Sequence, residues 1–151
     1  MLRITKMTDY AVLILANLAL HDKELLTAKE IASETHISLP TTQKILKKLN
    51  RKNLVISKQG ATGGYALGED TKNLSVANLL KTLDGDLSIT QCSSDDDQCQ
   101  VEDFCNIGNA WQMINQRVLW ALNDITLGDL IHPTRIEHFI STNIPVSREN
   151  H

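Results

Sequence analysis

The sequence predicts a mainly α-helical fold with a small β wing: a winged helix-turn-helix domain followed by a long dimerisation helix. Three observations carry this. A capped short helix, a break and a Pro-initiated basic helix lie between Thr27 and Lys52. Two β-prone runs flank a Gly-rich turn between Leu54 and Leu67. A heptad of apolar residues runs from Ile107 to Ile125. Helix, turn, helix and wing, in that order, is the layout of a DNA-reading module. The expected organisation is that module over residues 1–68, then a connector helix and cysteine loop over 69–106. A dimerisation helix over 107–131 and a flexible tail over 132–151 complete it.

A chain of 151 residues, 42% hydrophobic and 22% charged, fits one domain with an appendage. No run approaches the roughly 18 apolar residues of a membrane span. No basic-then-apolar leader with a cleavage site opens the chain, so a cytoplasmic location with no membrane contact is expected. Three cysteines, an odd count, argue against a disulfide framework. The net charge of −3 conceals a split. Residues 1–68 hold ten Lys/Arg against five Asp/Glu, and residues 69–151 hold five against thirteen. The basic front half suits double-stranded DNA, and the acidic back half suits another role.

Along the chain, Arg3-Ile4-Thr5-Lys6 is short and basic. Thr8 or Asp9 is expected to cap a helix running to about Leu20. That helix is apolar around much of its circumference, which predicts burial on two sides. Thr27 and Glu30 then form a capping box, and Ala28, Ile31 and Ala32 give the next helix a narrow apolar face. The break falls near His36, which tolerates the left-handed conformation better than most residues and reads as a surface turn residue. Pro40 suits the first position of the following helix. Ile45, Leu46 and Leu49 form its apolar stripe.

Thr41, Thr42, Gln43, Lys44, Lys47, Lys48, Arg51 and Lys52 fall largely off that stripe. The early members are short or carry amides and reach base edges; the later ones are cations suited to phosphates. The candidate DNA contacts are therefore Ser38, Thr41, Thr42, Gln43, Lys44, Lys47, Lys48 and Arg51. Lys58, Gln59 and Gly60 join them from the wing. A phosphate-loop reading of Gly60, Gly63 and Gly64 fails, because no Gly-Lys-Ser/Thr ends the run and a strand follows.

Beyond the polar connector at Glu69–Asn73, Ser75 caps a helix through Val76, Leu79, Leu80 and Leu83 that Asp84-Gly85 stops. Residues 86–106 show no period and hold Cys92, Cys99 and Cys105. Ile107, Trp111, Ile114, Val118, Ala121 and Ile125 then step 4-3-4-3-4, a seam about 27 Å long by the rise of an α-helix. Such a helix in so small a protein points to a twin helix in a homodimer.

The spacing of the three cysteines is not the paired CxxC of a zinc ribbon. Three soft thiolates within fourteen residues suit zinc or an iron–sulfur cluster. On spacing alone, a metal site and three plain cytosolic thiols weigh equally. A [2Fe–2S] cluster, favoured here over [4Fe–4S], would need one ligand beyond the three cysteines. A nucleophilic-cysteine enzyme is the poorest fit, since no Cys/His pairing is suggested, and no enzymatic activity is expected.

The segment Leu2–Val12, Ile37-Ser38-Leu39, Leu54-Val55, Gly63-Gly64-Tyr65, the three-cysteine loop and Ile125–Leu130 together resemble one family. It is that of the winged-helix repressors that include the iron–sulfur regulator IscR and the nitric-oxide sensor NsrR. The resemblance is strongest to the branch regulating the Suf iron–sulfur assembly system, and it covers about residues 1–131. It implies a homodimeric transcription factor whose three cysteines bind a cluster that controls promoter choice or affinity. Three departures stand out. Cys92 and Cys99 are separated by six residues where family members often have five, Gly108 occupies the position where IscR has a histidine ligand, and Gln59 stands where the wing usually carries Arg. By match to NsrR-like members, the resemblance implies Asp9, from the partner subunit, as fourth ligand. Lys58 is the substitute expected for the wing Arg on this resemblance. The alternatives are the same regulator with zinc or redox thiols in the loop, or a zinc-stapled adaptor that binds proteins.

Overall fold

The computed structural model describes residues 4–21, 24–90, 93 and 106–132. Cys92, Cys99, Cys105, the Arg3 position and the tail from residue 133 lie outside the described residues.

Helix α1 spans Lys6–Leu20. Its cap is Thr5, whose hydroxyl accepts the Thr8 amide at 3.2 Å, and not Thr8 or Asp9 as expected from sequence. The reason is geometric. A cap sits outside the helix with extended backbone, as Thr5 does, whereas the Asp9 amide is already bonded to the Thr5 carbonyl at 2.9 Å. Asp9 is left exposed in the first turn, where a carboxylate favours the positive end of the helix dipole. The expected two-sided burial is also corrected. Ala11, Ile14, Leu15, Leu18 and Ala19 are buried, but Leu13 is 46% and Leu20 64% exposed.

Helix α2, Ala28–Thr35, carries the capping box in full: Thr27 receives the Glu30 amide and Glu30 receives the Thr27 amide. His36 ends it at φ 57°, in the left-handed conformation. Glu34 ties α2 to α1, accepting from the Asn17 amide at 2.7 Å and pairing with His21 Nε2 at 2.8 Å. Its hydrogen bond raises the pKa of His21, and the bonds from Asn17 and His21 lower that of Glu34.

Helix α3 runs Leu39–Arg51, one residue ahead of the expected start at Pro40. Strands β1, Val55–Lys58, and β2, Gly64–Leu67, pair antiparallel with Val55 opposite Leu67 and Lys58 opposite Gly64. Gly60 sits at φ 116° at the wing's tip. Gly64 is needed for close approach: Leu26 exchanges both backbone hydrogen bonds with Tyr65, and a Cβ on Gly64 would lie 2.7 Å from the Leu26 carbonyl oxygen.

A 3-10 turn at Thr71–Asn73 leads to α4, Val76–Asp84, capped by Ser75 and stopped by Gly85 at φ 93°. The segment expected as one helix over 107–131 is divided in two. Helix α5 spans Gly108–Asn123, and α6, Leu127–Leu130, starts afresh at a Thr126–Asp129 capping box. The chain between them is stitched to the start of α4 by Val76 N–H to Ile125 O (2.8 Å) and Leu127 N–H to Leu74 O (3.0 Å). Leu127 is thereby fully buried beside Ile14, Leu15, Leu46, Leu49 and Leu79 in the main core. A second small core joins Ala77, Leu80 and Leu87 to Leu119 and Leu122 of α5.

Candidate nucleic-acid interface

Ile45, Leu46 and Leu49 are almost wholly buried, so the core fixes how α3 is rotated about its axis. The opposite face is thereby turned to solvent. Gln43, Lys44, Lys47 and Arg51 are exposed on it, and Lys48 is half-buried. These five line one groove together with Pro40 and Met7. Four cations in eight residues, with no acidic residue anywhere in α3, make this face a strong local positive field. At the head of the helix, Ser38 is exposed and its hydroxyl donates to that of Thr41 at 2.8 Å. Lys58, Gln59 and Gly60 are exposed on the wing.

Thr42 is a correction. It is fully buried and its hydroxyl donates to the Ile37 carbonyl at 3.4 Å. It stands three and four residues ahead of Ile45 and Leu46, hence on the same inward stripe, and cannot present itself to a duplex.

Two features escape the sequence reading. Met7, from the first turn of α1, lines the α3 groove, and its neighbour Lys6 lies 5.4 Å over the Tyr10 ring. The ammonium of Lys48 lies 3.9 Å from the Asp84 carboxylate at the end of α4. Met7 against α3 and Lys48 against Asp84 join distant segments, and no local pattern announces them.

The seam residues of α5 are open within one chain: Trp111 is 36% and Ile114 43% exposed. Asn115 is the buried residue of this helix, and its Oδ1 accepts the Ile89 amide at 3.1 Å, tying the start of the cysteine loop to α5. Among the described residues no group of three or more His, Cys, Asp or Glu is arranged to hold a metal. Of the four candidate ligands, Asp9 is described; its carboxylate has no hydrogen bond or ion pair among the described residues and is not spent on capping. Such a free carboxylate is chemically fit to complete a three-thiolate donor set. No helix is long and apolar enough to cross a membrane among the described residues.

Residues 4–133 match the family model Rrf2, described as an iron-dependent transcriptional regulator. The HTH-type transcriptional regulator IscR of Serratia proteamaculans is 30% identical over 132 residues, covering 87% of this chain and 80% of that one. IscR of Vibrio cholerae is 31% identical over 131 residues, covering 86% and 75%. Among solved structures, CymR, the global cysteine regulator of B. subtilis, superposes with a TM-score of 0.67 at 26% identity, over 87% of this chain and 97% of that one. IscR of T. potens does so with a TM-score of 0.66 at 24% identity, over 88% of each.

Proposed function

The chain belongs to the Rrf2 family of iron-dependent transcriptional regulators, which are not enzymes, and from that premise we propose a homodimeric sensor of iron–sulfur status. In this reading each subunit places α3 in a DNA major groove, with Gln43 and Thr41 toward base edges and Lys44, Lys47, Lys48 and Arg51 toward phosphates. Ser38 and the wing residues Lys58, Gln59 and Gly60 fix the register. Cys92, Cys99 and Cys105 hold a cluster, [2Fe–2S] favoured over [4Fe–4S], with Asp9 of the partner subunit as the fourth ligand. Promoters of iron–sulfur assembly genes are the regulated targets.

The observation that carries this reading is the extent of the family match, which takes in both the basic reading helix and the cysteine loop. The exposed, unpaired Asp9 supports the ligand set. When bound, the cluster supplies a link sensitive to iron and redox state. The chain's own residues do the rest: Leu127 and the Ile89–Asn115 bond couple the loop and α5 to the core that orients α3. A second reading, in which the thiols respond directly without a cluster, draws on the similarity to a cysteine regulator.

Asp9→Asn tests the ligand set. Thr5 remains as cap, so the variant is expected to fold and dimerise as the wild type does. It is expected to hold reconstituted iron and sulfide less firmly, with an altered visible spectrum, because the anionic oxygen is gone. Each of Cys92→Ala, Cys99→Ala and Cys105→Ala loses the cluster more completely. A wild-type spectrum and cluster lifetime in Asp9→Asn would remove Asp9 from the site, and absence of iron and sulfide in the wild type would favour the second reading.

A further inference from the structure

We propose that Asp84 sets the strength of DNA binding by acting as an internal counter-ion for Lys48, in competition with a DNA phosphate. The inference rests on the assignment of α3 as the DNA-reading helix.

Lys48 lines the groove beside Gln43, Lys44, Lys47 and Arg51, on the face assigned to DNA. Among the described residues, it is the one of these cations in an ion pair, at 3.9 Å from Asp84 Oδ1. Asp84 is the last residue of α4. A carboxylate there opposes the negative end of the helix dipole, so α4 itself gains nothing from it. The C-cap is supplied instead by Gly85, whose amide donates to the Lys81 carbonyl. The Asp84 side chain is 23% exposed, beside a cation that is 41% exposed. A phosphate approaching this edge of the groove must therefore draw Lys48 from Asp84 and face the residual repulsion of the carboxylate. Asp84 is thus a positioning residue that acts through Lys48.

Its position gives the contact a further consequence. Gly85 turns the chain directly from Asp84 into the segment whose Leu87 packs between α4 and α5 and whose Ile89 is held by Asn115. The carboxylate thus stands where the chain leaves α4 for the cysteine loop.

The test is a double-mutant cycle on the full chain, read as affinity for a mixed-sequence DNA duplex across a salt series. Asp84→Asn is nearly isosteric and relieves the dipole conflict, so thermal unfolding is expected to be unchanged or slightly raised. Its affinity at low salt is expected to rise roughly 3- to 10-fold, with a salt slope steeper by up to about 1 per subunit. Lys48→Ala is expected to bind more weakly on all sequences. Asp84→Asn added to Lys48→Ala is expected to recover less than about twofold, because the competed cation is gone. An equal gain from Asp84→Asn in both backgrounds would overturn the proposal and leave only long-range repulsion. So would an unchanged affinity and slope in a wild type that does bind duplex. A wild type that fails to bind duplex at all would instead overturn the underlying assignment of α3.

Discussion

Affinity for duplex DNA is expected to fall by roughly 10³- to 10⁵-fold as salt rises from about 50 to about 200 mM. The size follows from the exposed face of α3. Lys44, Lys47, Lys48 and Arg51 line one groove, and Lys58 stands exposed on the wing. The two subunits of the proposed dimer would therefore neutralise about six to ten phosphates, and each neutralised phosphate releases condensed counter-ions. Fluorescence anisotropy of a labelled duplex across the salt range measures the slope. A flat response would mean that this face does not meet the phosphate backbone.

Replacing Trp111 by Asp is expected to dissociate the proposed dimer while leaving each chain folded. Trp111 belongs to neither core cluster and is 36% exposed in the single chain, so a charge there is tolerated by the monomer. On the heptad seam of a paired α5 the same charge is buried without a partner. The cost is about 3–5 kcal/mol, or roughly a 10²- to 10⁴-fold weaker dimer. Sedimentation velocity with a circular-dichroism control separates the two effects. An unchanged dimer would place the subunit contact elsewhere, the exposed Leu13 and Leu20 of α1 being the next surface to examine.

What could be read from sequence, and what could not, follows from the range of each signal. The Thr27–Glu30 box, the left-handed His36 and the Ser75 and Gly85 boundaries of α4 are all local chemistry, and each stands where the residues place it. The start of α1 was ambiguous because Thr5, Thr8 and Asp9 are all capping residues within five positions; extended backbone at Thr5 decides it. Residue type points Thr42 outward, whereas its spacing from Ile45 and Leu46 puts it on the buried stripe. The apolar heptad continues past Asp124 to Ile125, and the Thr126–Asp129 box that begins α6 is hidden beneath it. Met7 in the α3 groove and the Lys48–Asp84 pair are tertiary contacts, with no periodicity to reveal them. Cysteine spacing by itself weighs a metal and plain thiols equally, and the three cysteines lie outside the described residues.

The claim that the cysteine loop controls DNA binding is tested most directly by one paired titration. Duplex affinity is measured anaerobically on a single reconstituted preparation, before and after its iron is removed by chelation, with iron and sulfide counted in both. The expected result is a change in affinity of about 5- to 150-fold, the usual range for coupling between two sites. Identical affinities for samples whose iron and sulfide contents differ would contradict it.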